Sequence, residues 1–285
     1  MREQNHLMRS LLFVPGDRPE RYQKACQSGA DIYCIDLEDA VPAEQKKAAR
    51  SAALEHIGLR SPDDTGGACY LRINSLASRH GVEDLLALAA VTRENGLPDG
   101  IVVPMISSAF EVRQIRSVLK YHRCPTIMPM IETPEGVDNL AAILAQGEGL
   151  IESLAFGFAD YAAITGSDMS WDALLNARSE IIKAASAHAI RCFDGPCFDI
   201  PDLAALEEEA ARVSRLGFTG KLAIHPSQVD TINQVFVPSA SEASWARRVV
   251  EAFEQAQGGV ISIDGKMIDP PLVEQARRII VALAD

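Results

Sequence analysis

Two carboxylates in this sequence stand where a divalent cation is ordinarily held. Glu132 closes the apolar run Ile127–Ile131, and Asp160 follows the run Leu154–Ala159. They lie 28 positions apart, close to one strand–helix unit, which would set them on neighbouring strand ends. Carboxylates so paired repel unless they share a proton or a cation. Mg²⁺ takes one or two carboxylates and keeps its other positions for water or substrate oxygens. The implied chemistry is that of a Mg²⁺-dependent enzyme acting on an oxygen-rich substrate. Glu132 also precedes Thr133 and Pro134, a poor place for a first-turn helix residue. A surface-loop carboxylate is the alternative reading.

Polar residues follow the other apolar runs too: Arg18, the group Asp36, Glu38 and Asp39, then Arg72 with Asn74, Asp194 and His225. So many polar strand ends exceed what stability asks of one barrel face. Arg72 offers a planar fork for a carboxylate or a developing enolate oxygen, or a salt bridge to Asp36 or Glu38. Glu38 and Asp39 suit the orientation of water around a cation. Taken singly, Asp39, Asp160 and Asp194 serve equally well as helix caps. Arg18 and Lys24 suit the phosphates of a bulky cofactor, or are solvated surface charge. Lys221 is in principle a Schiff-base amine, but it opens its strand, at the end facing away from the expected site. Met105, Pro129, Ala155 and Cys197 are candidates for shaping the substrate pocket.

The elements that must position these side chains are eight strands: Ser10–Val14, Ile32–Asp36, Cys69–Ile73, Gly100–Val103, Thr126–Ile131, Ser153–Phe156, Ile190–Phe193 and Lys221–Ile224. Each is a short continuous apolar run, as expected of parallel strands covered on both faces. Segments of helical period lie between them, clearest at Ala43–Ile57, Val82–Glu94, Ser108–Leu119, Glu135–Ala145, Trp171–Ala187 and Leu203–Leu216. Strand starts fall 22 to 37 residues apart, near the ~31 of eight units in ~250 residues. The spacing predicts a TIM (β/α)₈ barrel over residues 1–238. Residues 239–285 exceed a barrel and read as a helical extension, Ser239–Gln257 and Pro270–Leu283, around the segment Gly258–Asp269.

A net charge of −12 argues against a nucleic-acid partner. No apolar run nears the ~20 residues needed to cross a bilayer, and the polar start Met1–His6 lacks a signal-peptide core. The six cysteines form no CxxC pair and read as reduced buried thiols of a cytoplasmic protein. No HxH, HExxH, GxGxxG or Walker pattern occurs, so zinc, Rossmann-type redox chemistry and nucleotide hydrolysis have no support.

Seven motifs together carry a resemblance: RSLLFVPGDRPER at Arg9–Arg21, DLEDAV at Asp36–Val41, RIN at Arg72–Asn74, IETPEGV at Ile131–Val137, FGFADY at Phe156–Tyr161, GKLAIHP at Gly220–Pro226 and GKMID at Gly265–Asp269. The chain resembles the citrate lyase beta-subunit-like family of the HpcH/HpaI aldolase superfamily, which includes malyl-CoA and citramalyl-CoA lyases. The resemblance implies Mg²⁺ on Glu132 and Asp160, and Arg72 on acyl or oxo-acid oxygens. It implies a coenzyme A site along Phe13, Arg18 and Lys24. It also implies that Asp269 enters a neighbouring subunit's site as acid/base, in a homotrimer or hexamer. The substrate would be an acyl-CoA that releases a 2-oxo acid, with a citryl thioester on an acyl carrier protein, or a malyl-CoA thioesterase reaction, as alternatives. A non-catalytic binding subunit would require broken metal carboxylates, and these are intact.

Overall fold

Strand burial is nearly continuous, with β2 (Ile32–Asp36) buried at every residue. Such a run needs cover on both faces, which a closed barrel sheathed in helices supplies. The computed structural model describes residues 8–61, 66–91, 96–119, 124–256 and 261–284. β1 (Ser10–Pro15), β2, β3 (Ala68–Arg72), β4 (Gly100–Val103), β5 (Thr126–Ile131), β6 (Ser153–Phe156), β7 (Arg191–Asp194) and β8 (Gly220–Ala223) pair in sequence order, all parallel. β8 closes on β1 through Ser10–Lys221 and its neighbours. The fold is the (β/α)₈ barrel that the spacing predicts.

The barrel interior is filled by Leu11, Ile32, Cys34, Tyr70, Val102, Met128, Met130, Ala155, Phe193 and Leu222. Side chains alternate along a strand, so residues two beyond these face the same way. Phe13, Asp36, Arg72 and Glu132 therefore top the interior at the strands' C-terminal ends. The same alternation turns Asp194 outward, because Phe193 points in. Asp194 is thus neither a mouth residue nor a helix cap: it pairs with Arg178 and Lys221 behind the barrel wall. Pro129 lies between the inward Met128 and Met130 and so faces the helix layer, which removes it from the pocket.

Several helices differ from expectation. The helix expected at Val82–Glu94 begins earlier, at Arg79–Ala89, because Ser78 accepts from Gly81 N–H as its cap; 92–94 lie outside the described residues. The expected Glu135–Ala145 helix is two, Pro134–Asp138 and Leu140–Gln146, breaking at Asn139. Asn139 donates its side-chain amide to the Ser107 carbonyl at 2.9 Å. A further helix, Phe158–Thr165, carries Asp160 in its first turn.

Contacts divide the chain into two units, one of them Met8–Asn233. In the other, the helix Ala240–Gln255 packs on the helix Pro270–Ala284 over a core of Ala246, Val249, Ile268, Val273 and Ala276. Between them runs a hairpin of β9 (Ile261–Ile263) and β10 (Lys266–Ile268). Its two-residue turn, Asp264 and Gly265, has φ of 52° and 76°, the left-handed pair that suits a tight hairpin. Gln257 and Gly258–Val260 lie outside the described residues. No helix among the described residues is long and apolar enough to cross a membrane.

Candidate active site

Glu132 stands one residue past β5 and is 2% exposed. A buried carboxylate needs hydrogen bonds or a cation. Its Oε2 accepts the Met105 N–H at 2.6 Å. Met105 presents that N–H from a left-handed backbone, φ 57°, a conformation a non-glycine residue rarely adopts. Gly157 makes room on the other side: a Cβ there would lie 2.4 Å from both Cγ and Oε1 of Glu132. Gly157→Ala is therefore expected to displace the carboxylate and to lower stability by about 1–3 kcal/mol, the usual cost of overpacking. Thermal melts of the two proteins check this.

Arg72, at the end of β3, is the fixed cation of the site. Its Nε and Nη2 each donate to Asp36 at 2.7 Å, and Nη1 reaches Glu38 at 3.0 Å and Asp39 at 3.6 Å. The alternative salt bridge to Asp36 or Glu38 is thus real, and both are made. Its guanidinium carbon lies 4.6 Å from the Phe13 ring centroid, within cation–π range. Asp36 also accepts from the amides of Glu38 and Ala40, which fixes the β2 loop. Lys46 ties the same loop through the carbonyls of Leu37 and Glu38.

Ionisation is opposed across this cluster. Burial pushes the Glu38 carboxyl up to about 8 against the opposing charge of Arg72, with Asp39, Glu132 and Asp36 adding to the rise. Burial likewise raises Glu132 to about 7; the Met105 amide and Arg72 counter it, and the charges of Asp160 and Asp39 add to it. Asp160, more exposed, is raised by partial burial and then by Asp39. Arg72 is the cation felt by all three. Negative charge exceeds what it can balance. One added cation between Glu132 and Asp160 would relieve this. Two carboxylates with open positions beside them fit Mg²⁺. Among the described residues no cluster of three or more protein ligands forms a full cage.

Other predicted residues sit apart. Arg18 follows β1 with its side chain 56% exposed and approaches Asp17 at 3.9 Å. Lys24 is exposed on the short helix Tyr22–Cys26. Among the described residues, neither contacts the cluster around Arg72. Asp269 belongs to the second unit, where its Oδ1 accepts the Leu272 N–H at 3.4 Å at the start of a helix. His225 is exposed and shares a hydrogen bond with Ser227. Ala155 lies in the barrel interior, and Cys197 is buried in the β7 loop.

Three supports are absent from the sequence reading. The buried Gln228 amide accepts from the N–H groups of Ile224 and His225 and donates to the Cys197 carbonyl, joining the β7 and β8 loops. Asp84 accepts from the Asn74 backbone and side chain and pairs with Arg50, which braces the β3 loop. The Met105 amide is the third. A fully buried glutamine or aspartate predicted on a helix face is a signal, but its partner is not written nearby in the sequence.

Comparison with known proteins gives concordant matches. The family model described as HpcH/HpaI aldolase/citrate lyase matches residues 9–226. Citrate lyase subunit beta of Escherichia coli strain K12 is 33% identical, over 95% of this chain and 92% of that protein. The mitochondrial citramalyl-CoA lyase of Homo sapiens is 29% identical, over 94% and 83%. A solved structure of CitE from Mycobacterium tuberculosis, in complex with magnesium, acetoacetate and coenzyme A, superposes with a TM-score of 0.81. Its identity is 30%, over 97% of this chain and 98% of that one. On motifs, barrel and match alike, this chain belongs to the HpcH/HpaI aldolase/citrate lyase family.

Proposed function

We propose that this enzyme, a carbon–carbon lyase by family, cleaves a 3-hydroxyacyl-CoA of citramalyl-CoA or malyl-CoA type into acetyl-CoA and a 2-oxo acid, pyruvate or glyoxylate. The observation that carries the reading is the excess of carboxylates over cation at the barrel mouth, with Arg72 fixed beside it. Glu132 and Asp160 would hold Mg²⁺, the ion present in the similar CitE structure, with Glu38 and Asp39 orienting water about it. Bound there, Mg²⁺ supplies Lewis-acid polarisation of the substrate's hydroxyl and carboxylate oxygens.

The remaining steps fall to the chain's own groups. Breaking the carbon–carbon bond would pass its electron pair to the thioester enolate, while the hydroxyl carbon becomes the oxo acid's carbonyl and the hydroxyl proton passes to a water oriented by Glu38. Arg72, with Phe13 at its face, would stabilise that enolate oxygen. The acyl-CoA phosphates would meet Arg18 and Lys24. Asp269 would deliver the proton to the enolate carbon, or remove it in the condensing direction. In a homotrimer or hexamer, the arm of residues 239–285 would serve a neighbouring barrel.

The experiment is exchange of acetyl-CoA methyl protons with solvent deuterium, followed by NMR with Mg²⁺ present. Exchange by the wild type supports enolate chemistry, and its absence would contradict it. Asp269→Asn is expected to abolish the exchange and leave Mg²⁺ binding unchanged; undiminished exchange would assign the acid/base role elsewhere. The likeness to citrate lyase subunit beta favours one second reading: cleavage of a citryl thioester on an acyl carrier protein.

A further inference from the structure

Arg178 and Lys221 have no part in the chemistry proposed above, yet both are buried as deeply as the apolar core. The Lys221 side chain is 0% exposed and that of Arg178 7%. Both converge on Asp194 at the end of β7. Arg178 Nε donates to Oδ1 at 2.9 Å, and Nη2 to Oδ2 at 3.3 Å. Lys221 Nζ donates to Oδ2 at 3.0 Å and to the Gly195 carbonyl at 2.7 Å. The half-exposed Glu209 approaches the same amine at 3.4 Å. A buried ionic cluster is a weak source of stability, since apolar residues of similar volume often serve as well or better. Its product here is geometry.

The cluster touches the β6 and β7 loops, and the β6 loop leads into the helix that carries Asp160. The Arg178 guanidinium carbon lies 5.9 Å from the Phe156 ring centroid and 5.3 Å from that of Phe158. These rings bracket Gly157, against which Glu132 is seated. Phe158 also begins the helix whose third residue is Asp160. Gly195 also packs closely on the same ring, since a Cβ there would lie 2.5 Å from Phe158 Cδ1. Phe158 thus contacts both the guanidinium and a backbone segment that Lys221 fixes.

We propose that Arg178, Asp194 and Lys221 form a positioning clamp that seats the helix carrying Asp160 against Glu132 and so sets the spacing of the two cation ligands. The inference rests on the reading of Glu132 and Asp160 as those ligands. The three residues touch neither cation nor substrate; they act through Phe158 and Gly195.

The test uses the full-length variants Lys221→Met and Arg178→Lys, with Mn²⁺ as the probe. Arg178→Lys keeps a cation beside Asp194 but loses the plane that lies over the two rings. Three quantities are read: Mn²⁺ affinity by paramagnetic resonance, amide hydrogen exchange over Phe158–Thr165, and the melting temperature. Both variants are expected to fold and to bind Mn²⁺ about tenfold or more weakly, in the range seen when groups orienting metal ligands are lost. Exchange should quicken over Phe158–Thr165 and stay unchanged in β4 and β5. Unchanged Mn²⁺ affinity in Arg178→Lys overturns the clamp, and Arg178→Lys decides the matter alone if Lys221→Met does not fold. Quickened exchange spread evenly over the barrel, with affinity tracking the melting temperature, overturns it as well. A wild type that binds no Mn²⁺ overturns the cation-site reading, and the clamp with it.

Discussion

Glu132→Gln is expected to abolish cation-dependent turnover while leaving the barrel folded. Glutamine keeps the side chain's shape and an oxygen for the Met105 N–H, but removes the charge a cation needs. The loss in kcat should be at least about a thousandfold, matching the several kcal/mol that a bound cation contributes to transition-state charge. Steady-state kinetics with varied Mg²⁺ measures it, and substantial retained activity would remove Glu132 from the metal site.

The same substitution carries a pH signature in the chelated protein. Glu132 is raised to about 7 by burial, so the folded state holds its proton more tightly than the unfolded chain does. That contribution is fully present below the unfolded carboxyl range and is lost as pH climbs through about 7. The wild type should therefore lose stability relative to Glu132→Gln over this window, by up to about 1.4 kcal/mol per pH unit. The difference should level off above pH 7. Melts in EDTA from pH 5 to 8 test the sign, and a wild type that gains stability relative to Glu132→Gln as pH rises would contradict it.

Arg72→Lys is expected to cost nearly as much activity by another route. Lysine keeps the charge but cannot reproduce the two 2.7 Å donations to Asp36 while also reaching Glu38. Asp36, 1% exposed, would lose half of its fork. Stability should fall, although less than the ~3–5 kcal/mol of deleting one partner of a buried pair outright. On the proposed mechanism kcat drops by about 10²–10³, as when one donor to a developing oxyanion is removed, while Mg²⁺ affinity is maintained. A variant whose KM alone changes would confine Arg72 to ground-state binding.

The barrel was legible because parallel strands covered on both faces must be short apolar runs. All eight expected strands lie within one residue of the observed bounds at each end. The site was legible in part for the same reason. Glu132 and Arg72 end such runs in phase with Met130 and Tyr70, which point into the barrel. Asp194 ends its run out of phase, one residue past the inward Phe193, and alternation alone would have removed it from the mouth. Pro129 fails by the same count. The hairpin at Ile261–Ile268 was missed, although an Asp-Gly pair between apolar residues is the signal that could have found it.

Other features could not be read in advance. The left-handed Met105 carries no sequence mark, since methionine does not favour that backbone. The Arg178–Asp194–Lys221 cluster joins the helix Trp171–Ala187 to β7 and β8 across 16 and 27 positions, and only tertiary packing makes that contact. Asp160 looked like a strand-end residue because Phe158–Ala159 extends the apolar run, yet Gly157 ends the strand and starts a helix.

The most direct test of the central claim is acetyl-CoA release from (S)-citramalyl-CoA and from malyl-CoA, each with Mg²⁺ and with EDTA. The account predicts cleavage with Mg²⁺ and none with EDTA, the faster substrate naming the 2-oxo acid. Cleavage of neither by the Mg²⁺-loaded protein would contradict it.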